Sequence, residues 1–142
     1  MTTNYATLLR VPTIEEYRAI CDAVGWQDYM NFEAAEQSLD KSLFGVVIQH
    51  ENEAVGMGRV VGDGHIYFYI QDIAVKPEHQ NQGIGQLIMS AIVDYLQNNA
   101  PEKSFVGLFA SEGKEPFYNK YGFQAHSGMT GMFGVVLDKE IK

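Results

Sequence analysis

The spacing of apolar and polar residues changes period several times along the chain, and each change marks an element. Asn4–Arg10 reads as a short first strand. Thr13-Ile14-Glu15-Glu16 has the form of a capping box, and Ile14, Tyr17, Ile20, Cys21 and Val24 then recur at helical spacing until Gly25. A second short helix is expected from about Phe32 to Leu39. Strands are expected at Leu43–Gln49 and Ala54–Val61, joined by the polar turn His50-Glu51-Asn52-Glu53, and Gly62-Asp63-Gly64 leads into a strand over His65–Val75. Together these strands form an antiparallel meander.

Further on, Ile84, Leu87, Ile88, Ala91, Ile92, Tyr95 and Leu96 describe an amphipathic helix over Gly83–Asn99, stopped by Asn98-Asn99 and Pro101. A strand at Ser104–Ala110, a short helix near Glu115–Tyr121 stopped by Gly122, and a final hairpin from Phe123–His126 to Met132–Leu137 complete the expectation. A helical crossover is the usual way to join parallel neighbours, so the strand after the long helix is expected parallel to the one before it. The result is a mixed sheet with helices on its faces, in a single domain over residues 1–142.

The His65–Val75 strand holds an irregularity. Ile66, Phe68 and Ile70 have even parity, whereas Ile73 and Val75 have odd parity, and Asp72 falls where the first set would continue. One buried face can take all five apolar residues only if the strand slips by one position, and a β-bulge near Gln71-Asp72 would supply the slip. A central strand buried on both faces is the other reading.

Composition narrows the class. The chain has 142 residues, 46% hydrophobic and 20% charged, as in an ordinary globule of one domain. No apolar run approaches a membrane span, and the N-terminus lacks a secretory pattern, so a cytoplasmic location is expected. A net charge of −8 disfavours nucleic acid and anionic membranes and favours cationic molecules such as protonated amines. The single cysteine, Cys21, falls on the apolar face of the first helix and reads as packing. His50, His65, His79 and His126 show no metal-ligand spacing, so no metal is expected.

The chemistry concentrates in His79-Gln80-Asn81-Gln82-Gly83-Ile84-Gly85, between strand and helix. The first turn of a helix has N–H groups with no intrahelical partner and carries the positive end of the macrodipole. Glycines at 83 and 85 let a large anion approach the main chain. A P-loop is excluded because Gln86-Leu87 follows Gly85, and a dinucleotide fingerprint because Ile88 stands where a third glycine is needed.

Gln80-x-x-Gly83-x-Gly85 after Ile73-Ala74-Val75 resembles the acyl-CoA-binding signature of the GCN5-related N-acetyltransferase (GNAT) superfamily. Phe117-Tyr118-Asn119-Lys120-Tyr121-Gly122-Phe123 resembles a second segment of that superfamily, and the order and spacing also match. The likeness covers about residues 65 to 126. It implies an α/β (α+β) fold: a central mixed, mostly antiparallel sheet of about seven strands flanked by about four helices, with a V-shaped splay between two central parallel strands.

The resemblance also implies roles. Acetyl-CoA is the co-substrate; Ile73 and Val75, with Ala74 between them, contact its pantetheine arm. The main chain at Gln80, Asn81, Gln82, Gly83, Ile84, Gly85 and Gln86 takes its pyrophosphate. Ser111, Phe117 and Tyr118 complete the cofactor set, Ser111 standing where an Asn is common and Gln80 where an Arg is common. Tyr118 occupies the position of the general acid for the departing thiolate, against a reading in which it only packs with Phe117 and Tyr121. Asp72 is the candidate base, against a structural, hydrogen-bonded Asp.

For the acceptor, Trp26, Tyr29, Phe32 and Tyr69 are candidate pocket walls, with core packing of Trp26 the alternative. The expected activity is acetyl transfer to a primary amine of a small molecule by direct attack in a ternary complex. A protein or peptide amine is the second choice of acceptor. A CoA-binding sensor without turnover, and a dimerising structural domain whose glycine loop is only a turn, are the rivals from other classes; a homodimer is left open.

Overall fold

In the computed structural model, which describes residues 4–142, the expected meander is present with boundaries shifted by a residue or two. Two units are distinguished, residues up to Leu108 and Phe109–Lys142, and each is described by itself. The first contains β1 (Tyr5–Leu8), α1 (Ile14–Ala23), α2 (Phe32–Asp40), β2 (Phe44–His50), β3 (Glu53–Gly62), β4 (Tyr67–Val75), α3 (Ile84–Asn99) and β5 (Phe105–Gly107). The second contains α4 (Glu115–Asn119), β6 (Val136–Leu137) and β7 (Glu140–Ile141).

Local chemistry accounts for most boundaries. Thr13 caps α1 in a full capping box, its hydroxyl accepting from the Glu16 N–H while the Glu16 carboxylate accepts from the Thr13 N–H, which stabilises the helix by about 1 kcal/mol. Asn31 caps α2. Glu51 and Asn52 both have positive φ, as a two-residue hairpin turn between β2 and β3 requires. β4 begins at Tyr67, two residues later than expected, because the Asp63 carboxylate collects the N–H groups of His65, Ile66 and Tyr67 at 2.8–3.0 Å. Those three bonds hold its carboxyl below the usual range.

The sheet order is β1-β2-β3-β4-β5, antiparallel except for the parallel pair β4–β5. The α/β class and the mixed, mostly antiparallel sheet are as expected, but the seven strands divide into a sheet of five and a separate β6–β7 pair. β5 pairs with β4 only from Tyr67 to Tyr69. Among the described residues no strand covers Ile70–Val75 on that side, so the sheet opens between its two parallel strands.

Register shows which side chains share a face. Val60 lies opposite Ile70 and Gly62 opposite Phe68, while Arg59 lies opposite Gln71 and Val61 opposite Tyr69. Beyond Arg59 the register slips: Met57 pairs with Ala74, so Gly58 alone faces both Asp72 and Ile73. This is the bulge that one of the two readings of residue parity requires, and Asp72 adopts φ 61° there. Phe68, Ile70, Ile73 and Val75 thereby share one face.

α3 covers that face through Ile84, Ile88 and Ile92, which are fully buried, each contributing about 1.5–3 kcal/mol. The approach is close enough to need glycine: a β-carbon on Gly58 would lie 2.6 Å from Ile88 Cγ2 and 3.2 Å from Ile92 Cδ1. α1 and α2 cover the opposite face, where Tyr17, Ile20, Cys21, Leu39, Val47 and Met57 form a core cluster. Burial pushes the Cys21 thiol up to about 11, with the Asp72 charge adding to the shift.

In the second unit the expected hairpin from Phe123–His126 to Met132–Leu137 is absent, which corrects the sequence reading. Gly128, Gly131 and Gly134 interrupt that stretch, and glycine weakens a strand. The hairpin instead forms at Val136–Leu137 and Glu140–Ile141, turning on Asp138 and Lys139, both at positive φ.

Candidate active site

The cofactor-binding candidates of the first unit lie on one continuous path, from the open edge of β4 through a loop to the start of α3. The Lys76 N–H donates to the Val55 carbonyl of β3. Peptide groups alternate in direction along a strand, so Ala74 also turns towards β3, and Ile73 and Val75 present theirs to the open edge. At the other end of β4 the Ile66 carbonyl accepts from the Phe105 N–H of β5.

A 3-10 turn at Pro77–His79 follows, closed by the His79 and Gln80 N–H groups. The Gln80 side-chain amide then donates back to the Val75 carbonyl at 3.0 Å. Gln80 therefore clips the loop to the end of β4, a use of its side chain that the motif did not suggest.

From Asn81 to Gln86 no backbone N–H finds an acceptor among the described residues; the first α3 bond runs from the Leu87 N–H to the Gly83 carbonyl. Gly83 is the N-cap of α3 at φ 82°, ψ 10°, with nothing within 4 Å of where a β-carbon would sit. Asn81 also has positive φ. Consecutive unbonded N–H groups with left-handed residues among them, at the positive end of a 16-residue helix, form a donor set suited to an anion the size of a diphosphate.

Asp72 points away from α3, towards α1 and α2. Its Oδ2 accepts from Arg59 Nε at 2.8 Å and from the Tyr17 hydroxyl at 3.0 Å. Asp72 is 6% exposed and Arg59 8%. The guanidinium also donates to the Ser38 carbonyl and hydroxyl and to the Ser42 hydroxyl, each at 3.1 Å. Burial, reinforced by the Asp72 charge, raises the Tyr17 phenol far above its ordinary value. Tyr69 is half-buried, and burial followed by the same charge raises its phenol too.

Sequence reasoning missed Arg59 and Tyr17. The signal was present for Arg59, a lone charge amid Val55-Gly56-Met57-Gly58-Arg59-Val60-Val61, because a charge inside an apolar strand must find a partner.

Trp26 and Phe32 are partly buried against the core cluster. Phe32 meets Tyr17 edge-on at 6.3 Å and carries the Arg18 guanidinium 4.4 Å from its ring centroid. Tyr29, by contrast, is 83% exposed.

In the second unit the Ser111 carbonyl closes a turn with the Lys114 N–H, leading into α4. Phe117 packs edge-on against Tyr118 and Tyr121 at 5.0 and 5.5 Å. The Tyr118 carbonyl accepts from the Tyr121 and Phe123 N–H groups, which ties down the backbone at the end of α4. Burial raises the Tyr118 phenol above its ordinary value.

Among the described residues, no group of three or more His, Cys, Asp or Glu side chains is gathered to hold a metal ion. No helix there is long and apolar enough to cross a membrane.

Comparison with known proteins agrees with the fold. The family described as acetyltransferase (GNAT) domain matches residues 15–137. A crystal structure from meticillin-resistant Staphylococcus aureus, of a protein of unknown function described as a probable acetyltransferase, is similar with a TM-score of 0.83 at 36% identity, over 92% of this chain and 98% of that one. The uncharacterised N-acetyltransferase ycf52 of Porphyra purpurea is 28% identical over 83% of this chain and 69% of its own length. The histone acetyltransferase TAP1 of Glycine max is 28% identical over 84% of this chain and 56% of its own length. The chain belongs to the GNAT acetyltransferase family and is an acetyltransferase.

Proposed function

We propose that this chain transfers an acetyl group from acetyl-CoA to the primary amine of a small molecule, by direct attack within a ternary complex. The observation that carries the reading is the run of unbonded N–H groups at residues 81–86 next to the open edge of β4. The loop donors would hold the diphosphate, and the peptide groups of Ile73 and Val75 would take the amides of the pantetheine arm, with Ala74 between them. The Val75 carbonyl already accepts from Gln80, which leaves the Val75 N–H and both Ile73 groups for this work. The coenzyme supplies a reactive thioester. The chain supplies proximity, fixed orientation and a set of donors that need no rearrangement.

Tyr118 is assigned as the holder of a proton at its hydroxyl for the departing thiolate, with Ser111 and Phe117 beside it in the cofactor set. A raised phenol keeps that proton in place throughout the neutral range. Trp26, Tyr29, Phe32 and Tyr69 remain the assigned acceptor contacts. The net charge of −8 favours a cationic amine. The likeness to a histone acetyltransferase supports a second reading, in which the amine belongs to a peptide.

Thermal shift tests the cofactor site: acetyl-CoA at one hundred times its Kd should stabilise the chain by about 2.7 kcal/mol. Thiol release across a panel of small amines and lysine peptides then ranks the acceptors. Absence of both shift and release would overturn the proposal.

A further inference from the structure

The bulge at Asp72 does more than bend a strand. It decides which peptide groups of β4 face the open edge, and a slip of one residue would exchange them: Asp72 and Ala74 would face the opening in place of Ile73 and Val75. The slip would also carry the Asp72 carboxylate to the α3 face opposite Gly58, where Ile88 and Ile92 pack, and turn Ile73 and Val75 away from it. Apolar parity alone argues against the slipped register. The polar network beneath the bulge argues against it more strongly, because the Asp72 carboxylate can meet Arg59 and Tyr17 only in the register observed.

The geometry points to Asp72, Arg59 and Tyr17 as a positioning device for acetyl transfer: they pin the β4 register and so hold the Ile73–Val75 edge where the acyl-CoA arm must lie. The inference rests on the acetyl-CoA reading above and deepens it. Asp72 acts through the backbone that follows it and not as the acceptor of the amine's proton.

Three observations support this role. Asp72 is a non-glycine residue at φ 61°, a backbone state that persists where surrounding contacts over-determine it. Both donors converge on the same oxygen, Oδ2, one from β3 and one from α1. Arg59 then spends its remaining donors on Ser38 and Ser42, so the pin is anchored to α2 and its flanking residue as well. A buried ion pair that chooses between registers is the best-attested use of such groups.

The test uses the full chain with acetyl-CoA and the best amine from the panel, and compares Tyr17→Phe, Arg59→Lys and Asp72→Asn with the parent. Tyr17→Phe leaves the ion pair intact and is the mild variant; Asp72→Asn keeps a side chain that tolerates the left-handed backbone but leaves the buried Arg59 without its counter-charge. Expected are a KM for acetyl-CoA raised roughly tenfold, equivalent to about 1.4 kcal/mol of lost positioning, a KM for the amine changed far less, and a pH profile of unaltered shape. Amide hydrogen exchange at residues 71–75 should accelerate in the same variants without any ligand. Should Asp72→Asn fail to fold, Tyr17→Phe decides.

Variants that melt earlier but keep the KM for acetyl-CoA and the exchange rates would reduce the network to a support of the fold, and the inference would fall. It would also fall if Asp72→Asn alone abolished turnover and its pH limb, since that is the signature of a base. If the parent neither binds nor turns over acetyl-CoA, the proposed function fails instead, and exchange at 71–75 still judges the pin.

Discussion

Gly83→Ala probes the link between backbone conformation and cofactor binding most directly. Gly83 caps α3 at φ 82°, and a β-carbon there would meet nothing within 4 Å, so the substitution brings no clash with the protein and its cost is conformational. An L residue held in the left-handed region costs about 1–2 kcal/mol, offset by about 0.4–1 kcal/mol from a stiffer unfolded chain. The net loss is about 1 kcal/mol, or roughly 2–4 °C in Tm for a chain of this size. If the backbone instead relaxes to negative φ, the peptide groups flanking residue 83 rotate and the run of N–H groups at 81–86 is broken. Each charge-assisted bond lost costs about 1.5–3 kcal/mol, which is roughly ten- to a hundredfold in Kd. Calorimetric titration with acetyl-CoA and a melting curve read both effects. Gly83→Asn is the control, because Asn tolerates the left-handed region; it should lose less on both counts. An alanine variant with unchanged Kd and Tm would refute the claim that the left-handed cap organises the donors. Equal losses for Ala and Asn would show that bulk towards the ligand, and not φ, is what matters.

Gly58→Ala should destabilise by about 1–3 kcal/mol through overpacking, since Ile88 Cγ2 lies 2.6 Å from the added carbon; combined with Ile88→Ala the penalties should fail to add, and strict additivity in chemical denaturation would contradict the packing account. Tyr118→Phe should lower kcat with little change in acetyl-CoA affinity, and should remove the alkaline limb of kcat. That limb falls above the ordinary tyrosine range because the phenol is raised, and its survival in the Phe variant would reject the acid role. Cys21 is raised from 9.0 to about 11 in the folded chain, so the stability gained by burying its neutral thiol is complete below about pH 9 and is lost as pH rises towards 11. Melting temperatures of Cys21→Ala should therefore decline less steeply than the parent's across that window, and parallel declines would show that Cys21 does not contribute.

Much of the fold could be read from local pattern. The Thr13–Glu16 capping box, the 16-residue helix before Pro101 and the parity slip at Asp72 all appear where the sequence says they should. The final hairpin was misplaced because Phe123–Val135 contains enough apolar residues to suggest strands while its three glycines weaken them. The turn that does form, at Asp138-Lys139, lacks the Asn-Gly or Asp-Gly signature of its type. At the site, the loop motif located the unbonded N–H groups of residues 81–86, yet it counts Gln80 among the main-chain donors, whereas the Gln80 N–H closes on Pro77 and its side chain on Val75.

Sequence alone determined the elements through α3, the Thr13 cap and the loop whose N–H groups stay unbonded, because each depends on residues within a turn or two of one another. Tertiary structure alone decided where the Asp72 carboxylate points and what it bonds to. Its partners lie 13 and 55 positions away, on a strand and a helix whose meeting no local periodicity encodes. The parity of Ile70 and Ile73 offers a slip as one of two readings. Only the packed sheet shows what holds it there, since a buried carboxylate is stabilised by whichever donors the fold brings within about 3 Å of it.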